Sequence, residues 1–381
     1  MTSAAPPPTP LHTRLVDLVA RHGPLPFSTV MEAALYDEAH GFYSAAGGAA
    51  GRRGDFITSP EVGPLFGAVV ARALDEWWDG LGRPDPYLVV EAGAGVGTLA
   101  VSVLAAGPRC APAMRYVLVE RSPVLRERHG EHLSLHEPAT ALGVPGGLDG
   151  PVVASLAELP ATEITGVVLA NELLDNLPFD LLTRTGDGWA EVRVGVDDPD
   201  SPRPRLERHV VPASEAAAGA GDRWAPSAPA GAVIPWQRAA AEWVGDALDI
   251  VGAGRLVVLD YAVETTSELA VRPVDQWLRA YRGHERVGDP LDALGTADIT
   301  VDVAIDQIAS RAGAPEVSTQ AEWLRTHGLD DLVDEGRAIW RQTAAVGDLA
   351  AIRARSRIRE AEALVDPVGL GAFRVMEWTR G

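Results

Sequence analysis

The sequence predicts an α/β protein in which buried parallel strands alternate with helices. Short apolar runs recur at residues 87–91, 116–120, 167–170 and 255–261, with helical patterns between them. A glycine-rich segment directly follows the first run and precedes a helix. Open sheets of this kind bind ligands at the carboxyl ends of their strands. We therefore expect the functional site at that edge of the sheet, with an N-terminal cap before it and an inserted or C-terminal substrate region.

Charge and composition exclude several classes of function. The 381-residue chain carries 53 acidic and 33 basic side chains, for a net charge of −20 at pH 7, which disfavours a nucleic-acid partner. It contains no lysine, which excludes lysine Schiff-base chemistry and a P-loop lysine. Cys110 is its only cysteine, so an intrachain disulfide is excluded. The sequence shows neither a signal peptide nor an apolar run of membrane-spanning length, and we expect a cytoplasmic protein without a membrane partner.

The N-terminal part, residues 1–84, is predicted to be a helical cap and a cofactor-covering segment. Residues 11–20 repeat apolar side chains at helical spacing. After a stretch rich in glycine and aromatic residues, Ser59 and Pro60 predict the N-cap and first turn of a helix that runs to Trp78. This helix delivers the chain into the first strand.

The predicted core of the fold comprises residues 85–180 and 232–305. Helical patterns at 98–106, 122–132 and 236–250 separate the apolar runs, and a further short strand is expected at 152–154. Residues 181–231 are predicted to be an insertion: a β-hairpin over 181–196, then a mobile stretch rich in proline, alanine and glycine. Residues 306–381 are expected to form a C-terminal α/β region.

A glycine cluster with acidic neighbours predicts a cofactor site. Gly93, Gly95 and Gly97 alternate after the first strand, where glycine lets a ligand approach the backbone and the next helix offers free amides. Glu120 ends the next strand and suits the hydroxyls of a ribose, while Glu91 ends the first strand and suits an ammonium group. Because the dinucleotide fingerprint lacks its last glycine, S-adenosylmethionine (SAM) fits better than NAD. A tight structural turn is the alternative interpretation.

Two acids after the fourth strand predict an acceptor site. Glu172 and Asp175 would share one face of an opening helical turn, where they could hold a guanidinium group by bidentate bonds. The alternative is that both acids only stabilise a helix N-terminus. Asn171 could offer its carbonyl oxygen to the same acceptor or satisfy local backbone groups.

Three strings of residues resemble a known family: GDFITSPE at 54–61, EAGAGVGTL at 91–99 and LANELLDNLP at 169–178. They look like the MidA-type SAM-dependent methyltransferases, bacterial relatives of the mitochondrial arginine methyltransferases that act in assembly of respiratory complex I. The resemblance is continuous over 26–179 and returns more weakly at 295–303 and near 370–376. It implies a Rossmann-like class I SAM-dependent methyltransferase sheet.

The same resemblance implies that the first string closes over the amino-acid end of the cofactor. Its candidate cofactor-binding residues are Gly54, Asp55, Thr58 and Ser59. For Thr58 and Ser59, a simple capping arrangement at the start of a helix is the alternative.

Other candidate residues are expected to be structural. His129, His132 and His136 lie in a polar stretch and predict a solvated face rather than a metal site. Trp77 and Trp78 predict core packing rather than cofactor stacking.

The sequence thus predicts SAM-dependent methylation of an arginine side chain of a partner protein, with Glu172, Asp175 and Asn171 orienting the acceptor. The acidic balance is compatible with a basic, arginine-rich partner. One alternative is an assembly factor that binds SAM and catalyses little. An NAD-dependent oxidoreductase is less favoured, because no hydride-transfer partner is placed in the sequence.

Overall fold

The computed structural model describes residues 9–44, 58–143, 150–199, 201, 204–283, 285–343 and 349–381. The chain divides into two compact units. The first unit comprises Met1–Phe56, Leu174–Val244 and Ala262–Gly313, and the second comprises Ile57–Leu173, Gly245–Tyr261 and Ala314–Gly381. Gly54 and Asp55, two of the predicted cofactor-binding residues, lie outside the described residues.

Helices and strands are numbered in chain order. The helices are α1 (Pro10–His22), α2 (Phe27–Tyr36), α3 (Ser59–Val62), α4 (Pro64–Gly80), α5 (Thr98–Ala105), α6 (Pro123–Glu127), α7 (Pro138–Leu142), α8 (Glu215–Trp224), α9 (Arg238–Asp249), α10 (Thr266–Ala270), α11 (Val274–Trp277), α12 (Ile305–Ala312), α13 (Gln320–Thr326), α14 (Leu329–Thr343) and α15 (Leu349–Leu364). The strands are β1 (Leu25–Pro26), β2 (Tyr87–Ala92), β3 (Met114–Val119), β4 (Val152–Leu156), β5 (Ile164–Asn171), β6 (Asp180–Thr185), β7 (Gly188–Val196), β8 (Leu206–Pro212), β9 (Val233–Trp236), β10 (Val251–Asp260), β11 (Ala262–Val263), β12 (Leu278–Arg282), β13 (Glu285–Arg286), β14 (Asp298–Val301), β15 (Val303–Ala304), β16 (Glu316–Thr319) and β17 (Arg374–Arg380).

The second unit is built on a seven-stranded sheet in the order β16-β17-β10-β5-β2-β3-β4. The pairs from β10 to β4 are all parallel, and β17 runs antiparallel to both of its neighbours. Every residue of β2 and β3 is buried, which explains their continuous apolar runs. Trp77 packs in the core of this unit with α4 and the sheet, as predicted.

The helix predicted from Ser59 to Trp78 is interrupted in the structure. Its N-cap is Thr58 rather than Ser59, and the backbone amide of Thr58 donates to the Glu61 carboxylate over 3.2 Å. The helix is interrupted at Gly63, which has φ at 157° and where a Cβ would collide with the Glu360 side chain. Glu360 in turn accepts a hydrogen bond of 2.9 Å from the Leu65 amide, so it caps the second helix from outside.

The first unit holds three smaller sheets. One has the order β1-β7-β6-β9 with β8 added on β7, and the others are β11-β15 and β13-β12-β14. The predicted hairpin over 181–196 is confirmed by the antiparallel pairing of β6 and β7. The mobile stretch predicted for 197–231 is wrong for its described residues, because β8 pairs with β7 along its whole length and α8 packs against Trp189.

The predicted domain boundaries differ from the two units. Residues 262–305, assigned from the sequence to the core, belong to the first unit, whereas β16 and β17 of the expected separate C-terminal region complete the sheet of the second. The physical reason is long-range pairing: β17 binds β10 antiparallel from Gly254 to Asp260. In the described part of the chain, no helix is both long and apolar enough to span a membrane.

Candidate cofactor and acceptor site

Two loops of the second unit leave the sheet side by side at its carboxyl edge. β2 lies between β3 and β5, so the strand order reverses at this point. Ala92 pairs with Ala170, which places the glycine loop of residues 93–97 next to Asn171 and Glu172. Such a reversal opens a crevice at the carboxyl ends of the strands, which is where ligands bind in open α/β sheets.

The glycine loop requires its three glycines. Gly93, Gly95 and Gly97 have φ values of 70°, 56° and 86°, in the left-handed region that other residues adopt only at a cost. A Cβ on Gly97 would lie 3.2 Å from Leu118, whereas one on Gly95 would meet no atom within 4 Å. The apex of the loop therefore faces open space that a ligand can enter.

Glu120 fixes one side of this loop. Its Oε2 accepts a hydrogen bond of 2.9 Å from the Gly95 amide, and its Oε1 accepts one of 2.8 Å from the Ser122 amide. Burial raises the pKa of Glu120 above its ordinary value, and these backbone bonds oppose the shift. The carboxyl group thus lies beside the loop apex, where its predicted role toward a ribose stays a prediction.

Glu91 lies near the end of β2, just before the loop. Its side chain is 5% exposed, and Tyr116 donates a hydrogen bond of 2.6 Å to its Oε2. Burial raises the pKa of Glu91 to about 7, although the bond from Tyr116 lowers it. Glu91 is thus tied to Tyr116 on β3, and its predicted contact with an ammonium group stays a prediction.

The raised pKa of Glu91 predicts a dependence of stability on pH. A carboxyl group whose pKa is higher in the folded state than in the unfolded state stabilises the fold while it is protonated. This contribution is complete at pH values below the unfolded-state pKa and is lost as pH rises through about 7. We expect Glu91→Gln to flatten the fall of the unfolding free energy by about 1.4 kcal/mol per pH unit between about pH 5 and 7. Urea unfolding at steps of pH measures this slope. Glu158→Gln, at an exposed acid, is the control and should leave the slope unchanged. Equal slopes for Glu91→Gln and the unmodified protein would show that the pKa of Glu91 is not raised.

His129 was predicted to be on a solvated face, and this is wrong. Its side chain is fully buried; Nε2 lies 2.9 Å from the Gly95 carbonyl oxygen and Nδ1 lies 2.8 Å from Ser155 Oγ on β4. Helix α6 ends at Glu127, and the following 3₁₀ turn places His129 inward, whereas His132 stays exposed. Helical spacing of three histidines could not reveal that turn.

Asn171 and Glu172 form the second loop of the site. Glu172 has φ at 52°, and its amide donates 2.8 Å to the Leu259 carbonyl oxygen at the end of β10. Its Oε1 accepts from Asn171 Nδ2 at 3.1 Å and from the Ser59 amide at 3.4 Å. The Oδ1 of Asn171 is buried and, among the described residues, has no hydrogen-bond partner. An unpaired buried acceptor is costly, so this oxygen is suited to a donor supplied by a ligand.

Glu172 is half-buried, and its carboxyl group has a raised pKa. Burial raises its pKa to about 8, and the nearby charge of Asp260, which is itself fully buried, adds to the shift. A strongly raised pKa at the carboxyl edge of a sheet is typical of a functional acid or base.

The helical turn predicted to join Glu172 and Asp175 does not form. The left-handed φ of Glu172 prevents a helical turn from starting there. Asp175 lies in a separate 3₁₀ turn, Leu174–Asn176, which belongs to the first unit. Asp175 is 2% exposed. Burial and then the charge of Asp298 raise the pKa of Tyr43, and the charge of Asp175 is a smaller cause of the same shift. A role for Asp175 toward the acceptor stays a prediction.

Ser59 is tied into the second unit. Its side chain is fully buried, and its Oγ donates 2.8 Å to Gln320 Oε1. Its amide reaches Glu172, so the start of α3 lies against the second loop of the site. Thr58 caps that helix as the capping alternative proposed. Contact of either residue with a cofactor stays a prediction.

These features fit a nucleoside cofactor: the loop apex is open, and the buried carboxyl group of Glu120 lies beside it. Residues 69–321 match the model of a family described as "Putative S-adenosyl-L-methionine-dependent methyltransferase". The chain belongs to this family. The resemblance noted in the sequence is thereby confirmed, as is SAM as the cofactor; the protein is a SAM-dependent methyltransferase.

Relatives and a solved structure agree with this family. The chain is 26% identical to protein arginine methyltransferase NDUFAF7, mitochondrial, of Danio rerio over 83% of this chain and 76% of that protein. It is 27% identical to the Homo sapiens protein of the same name over 85% and 74%. A crystal structure of a Burkholderia thailandensis protein bound to S-adenosyl-homocysteine matches with a TM-score of 0.80 and 28% identity, over 99% of this chain and 95% of that one.

Proposed function

We propose that this methyltransferase transfers the methyl group of SAM to the guanidinium group of an arginine in a partner protein. The observation that carries the proposal is the pair of oxygen acceptors at the second loop: the carboxyl group of Glu172 and Asn171 Oδ1, which has no hydrogen-bond partner within the described parts of the chain. A guanidinium group offers five N–H donors in a planar fork and suits such a pair. The names of the relatives, protein arginine methyltransferases, support the same acceptor.

The fold supports the Rossmann-like arrangement that the sequence predicted. The parallel strands run in the order β4-β3-β2-β5-β10, which is doubly wound about the reversal between β2 and β5. The glycine loop with Glu120 would hold the cofactor at that reversal, and Asn171 and Glu172 would hold the acceptor beside it. When bound, SAM supplies an electrophilic methyl group.

Glu172 orients the acceptor and takes its proton. The Oε1 of Glu172 already receives hydrogen bonds from Asn171 and the Ser59 amide, which leaves Oε2 as the atom that carries the acid proton. A bound guanidinium cation favours the ionised carboxylate, so acceptor binding displaces this proton to solvent. Methylation of a guanidinium nitrogen then releases one N–H proton, which Glu172 Oε2 accepts.

Asn171 fixes the direction of the acceptor. Its Nδ2 donates to Glu172, which turns its Oδ1 away from that carboxyl group and leaves it for a second N–H donor. Two acceptor atoms at different positions restrain a planar guanidinium group more than one charge does. Lysine presents a point charge without that fork, so we expect arginine to be preferred.

The experiment uses an acceptor pool in which the partner is present but unidentified. Lysate proteins from cells that lack this protein are incubated with the full chain and SAM carrying an isotopically labelled methyl group. We expect mass spectrometry to locate the label on arginine side chains and not on lysine. Glu158→Gln, at an exposed acid of the same unit, serves as the control and should label the same sites.

Two results would overturn the proposal. Label confined to other residue types or to small molecules would reassign the acceptor. No label under conditions where SAM binding is measured directly would favour the alternative of a SAM-binding assembly factor with little catalysis. The cytoplasmic location expected from the sequence stays a separate prediction, and the relatives are named as mitochondrial.

A further inference from the structure

His129 and Glu120 both hold the glycine loop at Gly95. Gly95 donates its N–H to Glu120 Oε2 at 2.9 Å and accepts from His129 Nε2 at 2.9 Å through its carbonyl oxygen. The peptide groups on both sides of Gly95 are therefore fixed by side chains. The ring also lies near the end of the loop, since a Cβ on Gly97 would lie 3.6 Å from His129 Cδ2.

The hydrogen-bond partners determine the tautomer of His129. A carbonyl oxygen can only accept, so Nε2 carries the hydrogen and donates to Gly95. Nδ1 is then the acceptor for the Ser155 hydroxyl, which lies 2.8 Å away on β4. Burial lowers the pKa of His129, and the charge of Arg126 lowers it further, whereas the bond to Gly95 raises it. The ring is thus neutral with its hydrogen on Nε2, and the hydroxyl of Ser155 anchors its other nitrogen.

We propose that His129, oriented by Ser155, is a positioning residue for SAM: it holds the apex of the glycine loop in its binding conformation before the cofactor arrives. Glycine has the most conformational freedom of any residue, and a loop of three glycines loses that freedom on binding unless it is already ordered. Two hydrogen bonds to one residue at the apex supply this order. Preorganisation of a loop increases affinity by removing that cost from the binding step.

Two substitutions separate the bond from the bulk of the ring. Glutamine places an amide nitrogen near the position of Nε2 and keeps a donor for Gly95, whereas asparagine reaches only the position of Nδ1. Loss of one hydrogen bond typically costs a few-fold to tenfold in an equilibrium. We expect His129→Asn to raise the Kd for SAM about tenfold and His129→Gln to change it by less than about twofold. His132→Asn, at the neighbouring exposed histidine, is the matched control and should change nothing.

The measurement is calorimetric titration of the full chain with SAM, together with thermal unfolding without SAM and kcat at saturating SAM. A positioning role predicts that Kd and the KM for SAM rise in His129→Asn while kcat stays the same. Equal Kd values for the asparagine and glutamine variants would overturn the proposal, because the donor to Gly95 would then be irrelevant.

Ser155→Ala decides the case if neither histidine variant folds. The substitution removes only the hydroxyl on β4 that anchors Nδ1 of the ring, and we expect about a threefold rise in Kd with cooperative unfolding retained. An unchanged Kd would overturn the proposal. All these titrations omit the acceptor, so they fail or succeed independently of arginine methylation.

Discussion

Glu172→Gln is expected to lower kcat for methyl transfer about 100- to 1000-fold while the Kd for SAM changes little. Glutamine has nearly the same shape and keeps an oxygen for the Asn171 and Ser59 donors, but it cannot accept the proton that the acceptor loses. The measurement is kcat with the lysate fraction that contains the acceptor protein, alongside calorimetric titration with SAM. Glu158→Gln is the control for an acid outside the site and should retain full activity.

The same role predicts a dependence of activity on pH. Glu172 must be ionised before it can accept a proton, and its pKa in the free protein is about 8. We therefore expect kcat/KM for the acceptor to rise with pH through about 8, and this limb of the profile to be missing in the residual activity of Glu172→Gln. An active Glu172→Gln variant with an unchanged profile would remove Glu172 from the chemistry.

The sequence predicted the central strands well because of how they are buried. β2 and β3 are buried on both faces and therefore appear as continuous apolar runs. β16 has only exposed or half-buried residues, so it carries no such run. β17 reaches its place through pairing with β10, more than a hundred positions earlier in the chain, and with the nearer strand β16. Local patterns could not predict that pairing, and the domain boundaries drawn from them therefore differ from the two compact units.

The candidate site shows the same division between local and long-range causes. The glycine loop was predictable because left-handed backbone at residues 93, 95 and 97 favours glycine, and the glycines are visible in the sequence. The left-handed backbone of Glu172 could not be predicted from the sequence, because it depends on a hydrogen bond to β10 rather than on the residue type. His129 was missed for a related reason: its contacts with the loop and β4 exist only in the folded sheet.

Gly95→Val is expected to raise the Kd for SAM at least about 100-fold. Gly95 has φ at 56°, where a β-branched residue costs on the order of 1–3 kcal/mol, and relief of that strain would shift the loop out of its place between Glu120 and His129. If the backbone instead stays in place, the valine side chain occupies the open space above the apex. Both outcomes remove the binding surface, and calorimetric titration with SAM measures the loss.

Gly107→Val is the matched control, because it imposes a similar backbone strain at a position outside the glycine loop. Gly107 follows α5 with φ at 66°, and a Cβ there would also meet no atom within 4 Å. The two variants therefore impose a similar left-handed strain, and both should lower the unfolding temperature by a few degrees. Only Gly95→Val should abolish SAM binding, because only Gly95 lies at the loop apex. Unchanged SAM affinity in a folded Gly95→Val variant would show that the cofactor does not bind at this loop, whichever acceptor the enzyme methylates.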